Sequence, residues 1–106
     1  MQQDLPRAET CGSMTELRHA IDTLDARLVA LLALRQTYIE RAAVLKSERG
    51  SVRDAARVEQ VVRNVVAEAG RVGLSPAIAE TVWRALVEAS IAHEYGAFDS
   101  KPQPST

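Results

Sequence analysis

Apolar residues recur along residues 17–45 in alternating steps of four and three, and one arginine interrupts them where the repeat calls for leucine. Such spacing keeps one face of a helix turned toward a partner. A guanidinium on that face must be paired or hydrogen-bonded, because a buried lone charge is very costly. The repeat consists of Leu17, Ile21, Leu24, Leu28, Leu31, Arg35, Tyr38, Ala42 and Leu45. Arg35 is therefore the first candidate for a ligand-binding residue.

The start of this first helix is marked by Ser13 and Glu16, which together form a capping box. In that motif the serine oxygen and the glutamate carboxylate satisfy backbone N–H groups that have no partner inside the helix. No proline or glycine follows until Gly50, so the helix is predicted to run to about Ser47 or Glu48.

Two shorter helices are predicted after the first. The second begins near Arg53 or Asp54 and fades between Gly70 and Gly73, and its apolar positions are Val58, Val61, Val62, Val65, Val66 and Ala69. The third opens with Ser75 as a cap and Pro76 at the first helical position, where the missing N–H costs nothing. Its predicted inner face is Ile78, Val82 and Leu86, and its predicted end lies near Phe98.

The length of the first helix predicts a homodimer. About 34 residues at about 1.5 Å each span roughly 50 Å, whereas a domain of about 100 residues has a radius of gyration near 13 Å. The two shorter helices cannot cover that length, but a second copy of the chain can. The predicted fold is all-α, with a three-helix protomer over residues 13–98, one very long N-terminal helix, and mobile tails at 1–12 and 99–106.

Composition narrows the class of protein. The chain has 106 residues, with 13 basic against 14 acidic side chains and a net charge of −1. A surface that binds nucleic acid or an anionic membrane needs an excess of basic residues, so this charge balance argues against both kinds of partner. The single cysteine, Cys11, excludes an intrachain disulfide and a thiolate metal cluster. The first 12 residues lack the apolar core of a secretory signal, and no apolar run is long enough to span a bilayer, so a cytoplasmic location is expected.

Several polar residues are predicted to accompany Arg35 on inner helix faces. Lys46 lies eleven residues later on nearly the same stripe, and Ser90 and Glu94 continue the inner face of the third helix. Further candidates are Arg18 at the start of the first helix, and Asp54 and Arg57 in the first turn of the second. Each alone fits a structural role, such as a helix cap or a salt bridge. Together they provide the cations and hydrogen-bonding groups that a small polyanionic ligand requires.

These residues carry a resemblance to a known family. The strings "LRHAIDTLDARLVALLALR", "AAVLK", "VRDAAR" and "LVEASIAHE" resemble the all-helical chorismate mutases, over residues 17–98. The order and spacing of Arg18, Arg35, Lys46 and the later polar residues is the specific part of the likeness. The resemblance implies an intertwined homodimer with two sites, each formed by both chains.

The resemblance also implies a role for each candidate. Arg35 and the partner's Arg18 would hold the two carboxylates of chorismate, and Lys46 would contact a carboxylate and the ether oxygen. Asp54 would orient the ring hydroxyl, Arg57 would support the carboxylate side, and Ser90 and Glu94 would close the site. The reaction implied is the rearrangement of chorismate to prephenate in aromatic amino-acid biosynthesis, with no metal and no cofactor.

Two departures from the family pattern leave alternatives open. Val58 stands where many members have a glutamate, and Glu94 stands where many bacterial members have glutamine. The related isochorismate-pyruvate lyases of salicylate and siderophore synthesis share the fold and most of these cations, so lyase activity is the first alternative. A helical dimerisation module without catalysis is the second.

Overall fold

Three α-helices form the part of the chain described by the computed structural model, residues 5–102. They are α1 (Met14–Leu45), α2 (Ala55–Val72) and α3 (Pro76–Ser100), with short 3-10 turns at Ala8–Thr10 and Arg49–Ser51. Within these residues no strand occurs, so the predicted all-α class is confirmed. No described helix is long and apolar enough to cross a membrane. The outer parts of the two predicted tails, 1–4 and 103–106, lie outside the described residues.

The predicted capping box at the start of α1 is present. Ser13 Oγ accepts a hydrogen bond from the Glu16 amide at 3.1 Å. The Glu16 carboxylate accepts one from the Gly12 amide at 3.0 Å, one residue earlier than the usual return bond. At its other end α1 stops at Leu45, two to three residues before the predicted end. The chain there leaves the helix for the 3-10 turn, which leads Val52 into the core.

Local chemistry also determines both ends of α2 and the start of α3. Asp54 caps α2 by accepting from the Arg57 amide, and Ser75 caps α3 by accepting from the Ile78 amide. Gly73 ends α2 with φ of 83°, a left-handed conformation that residues with a side chain rarely adopt. The Leu74 amide then bonds to the Ala69 carbonyl at 2.8 Å. α3 continues to Ser100, two residues beyond the predicted end at Phe98.

The chain divides into two units at Gln36, and the core lies in the second, which begins at Thr37. This core joins the end of α1, the residue after the 3-10 turn, and α3. Its buried members are Ala43, Val52, Val87, Ile91 and Phe98, and the partly buried residues packed against them are Val58, Val61, Trp83, Tyr95 and Ala97. The loop between α1 and α2 is therefore fixed to α3 by apolar packing as well as by polar contacts.

The predicted inner face of α3 is wrong by about one residue. Ile78 is 55% exposed and Val82 is also exposed, while Leu86 is only partly buried. The buried positions are Ala79, Val87, Ile91 and Phe98, together with Glu94, which is the predicted continuation of the inner face. α3 carries two adjacent apolar stripes, and the periodicity of one helix does not show which stripe faces the core. The stripe that packs inward is the one that continues through Ile91 to Phe98.

The first unit contains α1 up to Gln36, and its apolar repeat is largely exposed in the single chain. Leu31 is 62% exposed, and Ile21, Leu24 and Leu28 are exposed as well, whereas Leu17 and Arg35 are partly buried. Contiguous exposed apolar residues of this kind are typical of an interaction surface.

Replacement of Ser75 by alanine is expected to destabilise the fold by about 1 kcal/mol, because the Ile78 amide loses its acceptor at the start of α3. Chemical denaturation followed by circular dichroism measures the change. Ser75→Asp keeps an acceptor at the same position and should retain most of the stability. Equal losses in both variants would contradict a capping role.

Candidate functional site

A partly buried ion pair joins two of the predicted site residues, Lys46 and Glu94. Lys46 directly follows α1, and Glu94 lies on the buried face of α3, 48 positions later in the chain. Lys46 Nζ donates to Glu94 Oε2 at 2.6 Å. The structure therefore brings together the cation and the carboxyl group that the sequence predicts for one site.

The two partners of this ion pair differ in exposure. Glu94 is 5% exposed and lies between Ile91 and Phe98, which both belong to the core. A carboxylate at such a depth needs a cation and hydrogen bonds, because its desolvation is costly. The Lys46 side chain keeps 29% of its surface exposed. An ammonium group has three donors, so Lys46 can hold Glu94 and still donate to a ligand from the solvent side.

Two arginines that sequence analysis missed fasten the loop after Lys46 to α3. Arg49 bonds to both oxygens of Asp99, at 2.9 and 3.3 Å, and its guanidinium lies 4.4 Å from the centre of the Tyr95 ring. Arg53 forms a two-pronged bond with Glu88 at 2.7 and 2.9 Å. The Arg53 guanidinium lowers the pKa of the Glu88 carboxyl group, chiefly through this hydrogen bond. Sequence spacing does not predict these pairs, because an exposed arginine can pair with any of several carboxylates.

Asp54 and Arg57 lie together at the start of α2, where both form local hydrogen bonds. Asp54 Oδ1 accepts from the Arg57 amide at 3.1 Å, which is the helix-cap role that the sequence left as an alternative. Arg57 Nη1 donates to Gln60 Oε1 at 2.7 Å. Both side chains are exposed, so they remain accessible to a ligand. Their binding roles stay predictions.

The other candidates are Ser90, Arg18 and Arg35. Ser90 lies on α3 one turn before Glu94 and is partly buried. Arg18 and Arg35 belong to the first unit; Arg18 is exposed and Arg35 is partly buried among exposed leucines of α1. Their roles toward a ligand stay predictions.

An open depression of about 640 Å³ on the second unit contains a second polar pair. Its lining is Glu40, Val44, Ala92, His93, Gly96, Ala97 and Ser100. His93 Nε2 lies 2.7 Å from Glu40 Oε2. Neither Lys46 nor Glu94 lines this depression, so it is not the predicted substrate site. Within residues 5–102, no group of three or more His, Cys, Asp or Glu side chains is arranged to hold a metal ion.

The described residues form an all-helical fold in which a lysine–glutamate ion pair connects the end of α1 to the buried face of α3. The family model described as chorismate mutase type II matches residues 17–95. The chain belongs to that family, which confirms the resemblance and supports a chorismate mutase-type function. No curated protein matches the chain.

Lys46→Met is expected to destabilise the protein by about 3 kcal/mol, because Glu94 is left in the core without its cation. In a Glu94→Gln background the same replacement should cost much less, since no buried charge remains. Urea denaturation of the four proteins measures this coupling. Equal costs in both backgrounds would show that the pair contributes no net stability.

Proposed function

We propose that this protein is a chorismate mutase that converts chorismate to prephenate in aromatic amino-acid biosynthesis. The observation that carries the proposal is the Lys46–Glu94 pair, which lies within the residues that the chorismate mutase type II family model matches. A cytoplasmic location suits this biosynthetic role.

The rearrangement needs no nucleophile and no general base, because one carbon–oxygen bond breaks while one carbon–carbon bond forms in the same molecule. Catalysis then consists of holding the side chain of chorismate folded over its ring and of stabilising charge on the ether oxygen. Lys46 is suited to the second task because its ammonium group is fixed by Glu94 and partly exposed. Charge that is fixed before the reaction requires no reorganisation during it.

Two arginines are proposed to bind the two carboxylates of chorismate. Arg35 would bind one and Arg18 of the partner subunit the other, each through the two-pronged geometry that guanidinium groups form with carboxylates. Support comes from the partly buried position of Arg35 on an otherwise leucine-rich stretch of α1. Asp54, Arg57 and Ser90 would complete the site around the ring hydroxyl and the carboxylates.

The homodimer is proposed because the first unit exposes a long apolar face. α1 has 32 residues, which is about 48 Å of helix. Its exposed apolar residues repeat with the three-and-four spacing that two packed helices share. Pairing of two α1 helices would bury this face and would supply Arg18 to the partner's site.

Both departures from the family pattern have consequences for this site. Val58 is partly buried and packs against the core, so an apolar contact replaces the glutamate that many members use for the ring hydroxyl. Glu94 accepts from Lys46, whereas a glutamine amide also donates. Glu94 can donate to the ether oxygen only while it is protonated.

Incubation with chorismate and, separately, with isochorismate is expected to give prephenate from chorismate and no salicylate from isochorismate. Product chromatography measures both reactions. Salicylate from isochorismate would make the protein an isochorismate-pyruvate lyase instead. If neither compound reacts and neither stabilises the protein against heat, the remaining interpretation is a helical dimerisation module without catalysis.

Arg18→Ala and Arg35→Ala are each expected to abolish nearly all activity, and a mixture of the two variants should recover part of it. After subunit exchange, half of the sites in a mixed dimer would contain both arginines. Sedimentation should show a dimer for every variant at micromolar concentration. A folded monomer, or no recovery after verified exchange, would contradict a site shared between chains.

A further inference from the structure

The C-terminal end of α1 is capped by a side chain that comes from much later in the sequence. Lys101 Nζ donates to the carbonyl oxygens of Ala43, at 2.8 Å, and of Lys46, at 2.5 Å. Lys101 follows α3 directly, 55 positions after Lys46. One ammonium group thus bonds to the backbone of the lysine that holds Glu94.

α1 needs such a cap because its own sequence does not provide one. The last four carbonyl groups of a helix have no partner within it, and a glycine just past the end often solves this by turning the chain back. Here Ser47 and Glu48 follow Lys46, and the last turn of α1 carries no basic residue. The Lys101 ammonium also lies at the negative end of the α1 dipole, where a cation is favourable.

Lys101 is itself held in place on the side of α3. Its backbone amide donates to the Phe98 carbonyl at 3.4 Å. Its ammonium lies 3.9 Å from the centre of the Phe98 ring, within the range of a cation–π contact. Phe98 is a buried member of the core. The cap therefore connects the end of α1 to the hydrophobic core through one partly buried side chain.

We infer that Lys101 is a positioning residue for Lys46. It fixes the backbone from which the Lys46 side chain reaches Glu94, and so it sets where the Lys46 ammonium meets a ligand. This inference rests on the proposed function for the role of Lys46 toward substrate. A displacement of about 1 Å at a reacting group lowers rates by up to about 100-fold.

Lys101→Met removes the donors and keeps the apolar stem. We expect it to lower kcat/KM for chorismate by about 10-fold, mainly through kcat, because the ether contact of Lys46 strengthens in the transition state. Lys101→Arg retains donors for both carbonyl groups and should recover most of the loss. Arg84→Met is the matched control, since it removes an exposed cation that bridges α3 to Glu59 on α2. Circular dichroism confirms that each variant is folded.

A double-mutant cycle separates positioning from a general loss of stability. If Lys101 acts through Lys46, then Lys101→Met should have little further effect on the residual kcat/KM of Lys46→Met. If Lys101 only stabilises the fold, the two losses should multiply. Multiplied losses would overturn the inference.

Amide hydrogen exchange at residues 46–51, measured on the full chain without substrate, tests the cap independently of activity. Exchange there should be faster in Lys101→Met than in wild type or Arg84→Met. Unchanged exchange would overturn the inference whatever the kinetics show. A wild-type protein that converts neither chorismate nor isochorismate would instead contradict the proposed function, and exchange alone would then decide whether Lys101 holds this loop.

Discussion

The carboxyl group of Glu94 inside the core is the constraint on which the arrangement of the second unit depends. A charge at that depth requires a cation, and Lys46 supplies it from the residue that follows α1. The end of α1 must consequently stay beside α3. Val52 in the core and the arginines at positions 49 and 53 hold the intervening loop to the same helix. Structural stability and the proposed binding chemistry therefore depend on the same pair.

Helix boundaries could be predicted wherever local chemistry decides them. Ser13, Asp54, Ser75 and Gly73 act through backbone groups only a few residues away, so the sequence around each contains the whole interaction. The end of α1 could not be predicted in this way, because its cap comes from Lys101. The prediction of the inner face of α3 failed for a similar reason, because the helix packed against α3 determines which of its two apolar stripes is buried.

The residues of the candidate site also differ in whether the sequence could predict them. Lys46 and Glu94 could be predicted because the spacing of the polar residues resembles that of the family, although Glu94 stands where many bacterial members have glutamine, and the structure places the two in contact. Lys101, Arg49 and Arg53 could not, since their partners lie 35 or more positions away and any exposed carboxylate or carbonyl group would suit them. Residue type alone cannot assign a role to Asp54. Its carboxylate caps α2 and is also exposed, so it remains accessible to a ligand.

The contact between Lys101 and the end of α1 also has a consequence for the order of folding during synthesis. Lys101 is added 55 residues after Lys46, which takes about 3 to 11 s at translation rates of about 5–20 residues per second. During that interval the last turn of α1 lacks the ammonium that satisfies its carbonyl groups. α1 can form early from its N-terminal capping box, but its last turn and the loop beyond it acquire their final geometry only when α3 is complete.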